Sequence, residues 1–177
     1  NEGYQIYMAV KSVEKIKGDI AEVGVYMGGS AKIICKAKGN KNLHLFDTFE
    51  GLPEVKKDLD AGYHKGQYLA PFDIVRKAFK NEKNVKLYRG MFPKTATPID
   101  DKKFSFVNFD VDIYQSTIDC LKYFYSKMNK GGIMMSHDYT TDDKIDQGVK
   151  VAFDEFFKDK PEPIITMSGS QCLVVKV

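Results

Sequence analysis

Short apolar runs alternate with amphipathic helical repeats along almost the whole chain, and that alternation restricts it to an α/β fold with a mostly parallel sheet. Ile6, Ala9, Val13 and Ile16 recur at helical spacing between Glu2 and Lys17, and Gly18 ends the pattern. Strands are predicted from Ile20 to Val25, Asn42 to Phe46, Val85 to Tyr88, Phe104 to Phe109 and Ile133 to Ser136. Helices are predicted from Ser30 to Lys38 (stopped by Gly39), Pro71 to Lys80, Thr117 to Met128 (closed by Gly131-Gly132) and Gln147 to Lys158. The runs Ile164 to Met167 and Cys172 to Val177, joined by Ser168-Gly169-Ser170, read as a hairpin at the sheet edge. One long polar segment, Thr48 to Ala70, interrupts the alternation with Gly51, Pro53, Gly62 and Gly66. A loop of that length suits a lid over a substrate, and equally a surface insertion.

At 177 residues the chain makes one domain, residues 1–177, large enough for a real core. The net charge of +3 is small and the lysines are scattered, which argues against a nucleic-acid partner. No apolar run reaches membrane-spanning length and no signal peptide is visible, so no membrane partner is expected. Cys35, Cys120 and Cys172 lie far apart and form no C-x-x-C pair. Free, buried thiols fit a reducing compartment and a cytoplasmic location.

The stretch Ile20-Ala21-Glu22-Val23-Gly24-Val25-Tyr26-Met27-Gly28-Gly29-Ser30 leads a strand into an acid, a glycine turn and a helix, and Leu43-His44-Leu45-Phe46-Asp47 then ends a second strand on an aspartate. Such a turn lets backbone approach a ligand, the helix start offers free N–H groups, and the aspartate can take both ribose hydroxyls of a nucleoside. The spacing is E-x-G-x-x-x-G rather than the G-x-G-x-x-G of dinucleotide folds. With no pyrophosphate to cradle and an acid beside the turn, the motif points to S-adenosylmethionine and away from NAD. A strand–turn–helix of any α/β protein remains the plain alternative.

Ligands of doubly wound sheets sit beyond the carboxyl ends of the strands. Those ends carry Glu22 and Gly24, Asp47, Gly90, Asp110 with Asp112, and His137 with Asp138. Acids after four strands repel one another unless a cation balances them. Asp110-Val111-Asp112 and His137-Asp138 together resemble a divalent metal site, in which carboxylates suit Mg²⁺ and an imidazole favours a transition metal. The same aspartates also suit helix caps and loop anchors. His64 is the only histidine of the long segment, and a neutral imidazole there can accept a proton from a hydroxyl, whereas His44 lies within a strand.

Together these blocks resemble the macrocin O-methyltransferase (TylF/MycF-type) family of class I S-adenosylmethionine-dependent enzymes. The resemblance runs through the glycine turn, Phe46-Asp47-Thr48-Phe49-Glu50-Gly51-Leu52-Pro53, Arg89-Gly90-Met91-Phe92-Pro93-Lys94-Thr95, Phe109-Asp110-Val111-Asp112-Ile113-Tyr114-Gln115-Ser116-Thr117, Gly131-Gly132-Ile133, and Asp138-Tyr139. It implies a Rossmann-like, seven-stranded, mostly parallel sheet with an antiparallel C-terminal strand and helices on both faces. It also implies methyl transfer from S-adenosylmethionine to a small-molecule hydroxyl, in known members a sugar hydroxyl, with Mg²⁺. By position, Glu22, Gly24, Gly28 and Ser30 would surround the methionine part, with Tyr26 in the same turn. Asp47 would hold the ribose beside Thr48 and Phe49, and Gly90, Met91 and Phe92 would lie near the adenine. Asp110, His137 and Asp138 would occupy the metal positions, with Asp110 also next to the reacting methyl and His64 as general base. Two departures stand out. Metal-dependent members carry two acids where this chain has His137-Asp138, and they have more sequence before the first strand. The resemblance leaves room for a homo-oligomer. A non-catalytic binding module that keeps the fold is the competing expectation, and an NAD-dependent oxidoreductase fails on the glycine spacing.

Overall fold

The structure, a computed structural model, describes residues 1–56, 58–140 and 147–177. One residue of the long polar segment, Lys57, lies outside that description.

Seven strands form one sheet: β1 (Asp19–Val23), β2 (Leu43–Asp47), β3 (Val85–Arg89), β4 (Phe104–Phe109), β5 (Met128–Ser136), β6 (Ile165–Thr166) and β7 (Cys172–Val175), in spatial order β3-β2-β1-β4-β5-β7-β6. The first five strands run parallel. Strand β7 is antiparallel to β5, with Ile133 opposite Val175, and β6 pairs with β7 as the expected edge hairpin. The strand order therefore reverses at β1, which has β2 on one side and β4 on the other. That is the switch point where a crevice opens at the carboxyl ends.

The helices are α1 (Glu2–Ser12), α2 (Gly29–Ala37), α3 (Phe72–Phe79), α4 (Tyr114–Phe124) and α5 (Gly148–Phe157). Neighbouring residues of each central strand point to opposite faces. Ile20, Leu45 and Phe106 pack with Ile6, Val10, Ile34 and Phe79 of α1, α2 and α3. Ala21, Phe46 and Val107 pack with Phe124 of α4 and with Val149 and Phe153 of α5. All six residues of β4 are buried, as a strand covered on both faces requires.

Several element ends differ from the sequence expectation. Helix α1 stops at Ser12, where Glu14 N–H donates to the Lys11 carbonyl and Ile16 N–H to the Val13 carbonyl, so tight turns replace the last helical turn. Strand β1 ends at Val23 because Gly24 (φ 87°) turns the backbone out of the sheet. Helix α4 begins at Tyr114, three residues before the expected Thr117, because the carboxylate of the distant Asp60 accepts the Tyr114 N–H at 3.0 Å.

Candidate functional site

Everything at the switch point hangs on the turn after β1. Gly24 donates its N–H to the Phe46 carbonyl at 2.9 Å. A Cβ at this position would stand 1.7 Å from the Asp110 carbonyl oxygen, so only glycine lets the β1 turn touch the end of β4. Asp47 then staples two loops. Its Oδ2 accepts the N–H groups of Val25 (2.7 Å) and Tyr26 (2.8 Å), and its Oδ1 accepts that of Phe49 (2.6 Å). These bonds hold Tyr26 (φ 47°) and Phe49 (φ 57°) in left-handed backbone. A carboxylate offers roughly four lone-pair sites, so in this conformation Asp47 keeps about one for a ribose hydroxyl rather than enough for both.

Glu22 lies beneath the turn, fully buried. Its Oε1 accepts from the Asn108 amide at 2.9 Å. Loss of water pushes its carboxyl up to about 8, and the charges of Asp110 and Asp47 push the same way, outweighing the Ser30 and Asn108 hydrogen bonds that favour the anion. Glu22 thus supports the floor and does not form the wall. Ser30, at the start of α2, is half-buried and its side chain hydrogen-bonds to Glu22. Gly28 serves the packing of α3, since a Cβ there would lie 2.7 Å from the Phe79 ring. Phe49 packs on Phe72, with ring centroids 5.0 Å apart.

Above this layer a cleft opens at the carboxyl ends of β1, β2 and β4. Gly24, Tyr26, Asp47 and Thr48 line one side, Gly90, Met91 and Phe92 another, and Asp110, Val111 and Asp112 the rim of β4. Phe92 provides an aromatic base, parallel to Phe124 with centroids 5.3 Å apart and edge-on to Phe46. The long segment supplies Gly51, Leu52, Pro53 and Tyr68, none of which was expected at the site. It is folded back on itself, with Leu52 N–H donating to the Gln67 carbonyl (2.8 Å) and Gly66 N–H to the Leu52 carbonyl (2.9 Å). The buried Asp60 anchors its far end to α4, and Gln147 N–H donates to the Leu59 carbonyl. An aromatic, apolar base, an acid at the end of β2 and an acidic rim suit a nucleoside with a positively charged tail.

Carboxylate oxygens of Asp110, Asp112 and Asp138 lie within 4.8 Å of one another. Burial raises Asp110, against the pull of His137, and raises Asp112 to about 8 with help from the Asp110 and Asp138 charges. Asp112 and Asp138 have left-handed backbone (φ 61° and 58°). Asp112, which the strand-end reading grouped with Asp110, stands in this cluster where the family resemblance put His137. The His137 ring is engaged elsewhere, its Nε2 accepting from the amide of the buried Gln171 at 2.8 Å. His64 is exposed and outside the cleft lining, and its backbone N–H donates to the Gln67 side chain. Three oxygen donors without an imidazole suit Mg²⁺.

A clasp from α1 secures the Asp138 loop. Glu2 Oε1 accepts both the N–H and the hydroxyl of Ser170 at 2.9 Å, and the Gln5 amide donates to the Ser168 carbonyl at 2.7 Å. The Ser170 carbonyl in turn accepts the N–H groups of Tyr139 and Thr140. No helix among the described residues is long and apolar enough to cross a membrane.

Comparison with known proteins agrees with this geometry. An O-methyltransferase of Streptomyces olivaceus acting on 8-demethyl-8-(2,3-dimethoxy-alpha-L-rhamnosyl)-tetracenomycin-C is 29% identical over 143 residues, covering 72% of this chain and 55% of the relative. Demethyldecarbamoylnovobiocin O-methyltransferase of Streptomyces niveus is 30% identical over 142 residues, covering 70% of this chain and 53% of the relative. The chain thus spans about half the length of these relatives. The solved structure of the O-methyltransferase NovP superposes with a TM-score of 0.82 at 26% identity, covering 99% of this chain and 79% of that one. The calicheamicin methyltransferase CalS11 also gives 0.82, at 17% identity over 98% of this chain and 78% of its own, a likeness of fold. A family model described as Macrocin-O-methyltransferase (TylF) matches residues 4–170, from α1 through β6 and across the whole cleft, and the chain belongs to that family.

Proposed function

We propose that this domain moves the methyl group of S-adenosylmethionine to a hydroxyl of a small glycosylated molecule. The observation that carries the reading is the cleft at the strand switch point, walled by Gly24, Asp47, Gly90 to Phe92 and Asp110. Membership of the family, and similarity to a relative named for methylating a rhamnosyl-bearing metabolite, support the acceptor class.

In this reading the β1 turn and Asp110 bracket the methionine end, Asp47 takes the ribose and Phe92 underlies the adenine. The acceptor oxygen attacks the methyl carbon as the carbon–sulfur bond breaks, the sulfonium becomes a neutral thioether, and the hydroxyl proton passes to Asp110, which the adjacent sulfonium charge draws toward its anionic form. His64 is not given that proton, because its ring stands outside the cleft lining. Asp110, Asp112 and Asp138 would hold a divalent cation, which when bound supplies charge neutralisation and a lower pKa for a bound hydroxyl. Orientation and electrostatic complementarity carry most of the acceleration.

Calorimetry with S-adenosylmethionine, and mass spectrometry of any nucleoside that travels with the purified protein, test the reading. Binding is expected, and Asp110→Asn should retain it while losing methyl transfer to glycosylated acceptors. A protein with no affinity for S-adenosylmethionine or its demethylated product refutes the assignment.

A further inference from the structure

The long segment places one residue at the cleft in an unusual way. Tyr68 lines the cleft, is 45% exposed, and has left-handed backbone (φ 63°). That conformation is unfavourable for a non-glycine residue, so its surroundings hold it there. The bonds that close the segment at Leu52, Gly66 and Gln67 lie immediately before it. Across the cleft its ring meets that of Tyr26, with centroids 5.8 Å apart and planes at 71°. Tyr26 is 48% exposed and also lines the cleft, so the pair is open to a ligand on the cleft side. Tyr68 lines the same cleft as Asp110 and Asp112, and its phenol is raised by burial and then by the charges of Asp112, Asp138 and Asp110.

Two aromatic rings beside an acidic cluster form surroundings that favour a cation. A ring face attracts a ligand cation through its quadrupole, and a cation beside Asp110 and Asp112 draws their raised carboxyls toward the charged form, which adds a direct attraction. We infer that Tyr68, paired with Tyr26, makes this site select a positively charged sulfonium ligand over the neutral thioether that remains after methyl transfer. The inference rests on the proposed use of S-adenosylmethionine. Its consequence for turnover is that loss of charge at sulfur weakens the hold on spent cofactor, so a fresh molecule replaces it.

The test compares the affinities of S-adenosylmethionine and S-adenosylhomocysteine by calorimetry, near neutral pH and with EDTA present to keep cations off the carboxylates. Tyr68→Asn and, independently, Tyr68→Gly remove the ring with residues that accept left-handed backbone. Both should weaken S-adenosylmethionine about fivefold and S-adenosylhomocysteine by less than about twofold. Tyr68→Phe keeps the ring and should stay within about twofold of the wild type for both ligands. Equal losses for the two ligands, or no loss for either, overturn the inference, because a ring that only packs does not read charge. A wild-type protein that binds neither ligand refutes the proposed function itself and the inference with it.

Discussion

Replacing Glu22 with glutamine should raise stability at neutral pH and flatten its pH dependence. The side chain is fully buried and its carboxyl holds its proton up to about 8, whereas in the unfolded chain it releases it near 4.5. Between those values the unfolded state binds fewer protons than the folded state, so stability falls as pH rises, by about 1.4 kcal/mol per unit. The contribution is fully present below the unfolded value and lost as pH climbs toward the folded one. Glutamine is close in shape to the protonated acid, retains an oxygen for the Asn108 amide, and does not titrate. The stability gap between Glu22→Gln and the wild type should therefore widen by about 3 kcal/mol from about pH 5 to about pH 7.5. In thermal terms that is roughly 6–12 °C for a chain of this size. Urea unfolding of both proteins at a series of pH values measures the gap directly. Asp112 is present in both proteins and cancels in the difference, while the Asp110 charge is already among the causes that raise Glu22. Parallel stability curves would show that Glu22 ionises normally and that its burial is not dry.

Gly24→Ala sets a Cβ against the Asp110 carbonyl at a φ of 87°, and should cost at least about 3 kcal/mol in denaturant unfolding; a loss under about 1 kcal/mol would mean that the two loops part easily. Asp47→Asn weakens three backbone hydrogen bonds to a charged acceptor, and should lower stability by about 2 kcal/mol and S-adenosylmethionine affinity together. Glu2 is held below its ordinary value by the Ser170 N–H and hydroxyl, so its contribution is present above the unfolded value and disappears as pH falls through the folded one. Glu2→Gln should remove part of the acid limb of the stability curve, by less than about 1 kcal/mol because the group is partly exposed, as read by unfolding between about pH 3 and pH 5.

The sheet, its switch point and most of the cleft wall were legible in the sequence because strands buried on both faces announce themselves, and the residues that line such a cleft sit at predictable strand ends. Gly24, Asp47, Gly90 and Asp110 are such residues, each one step beyond or at the end of a strand. What escaped depends on bonds between distant segments. The start of α4 is set by Asp60, 54 residues earlier in the chain. Asp112 was already grouped with Asp110, His137 and Asp138 by the strand-end reading; that the His137 ring is engaged elsewhere depends on the partner that Gln171 offers the imidazole, which has no local signal. Glu22 was correctly placed at the end of β1, but the pairing with Asn108 across neighbouring strands turns it into a support under the floor. Tyr68 lies in a segment with no periodicity, and only the ladder between Leu52 and Gln67 brings it to the opening.

The grip of Glu2 and Gln5 on the Ser168–Ser170 turn makes the first helix a lever on the chemistry. Force applied to that helix is passed through two hydrogen-bonded turns to Asp138, beside the Asp110 and Asp112 rim of the cleft. Whatever leans on the outer surface of α1, whether more polypeptide or a neighbouring molecule, therefore acquires a mechanical handle on how the three carboxylates are spaced.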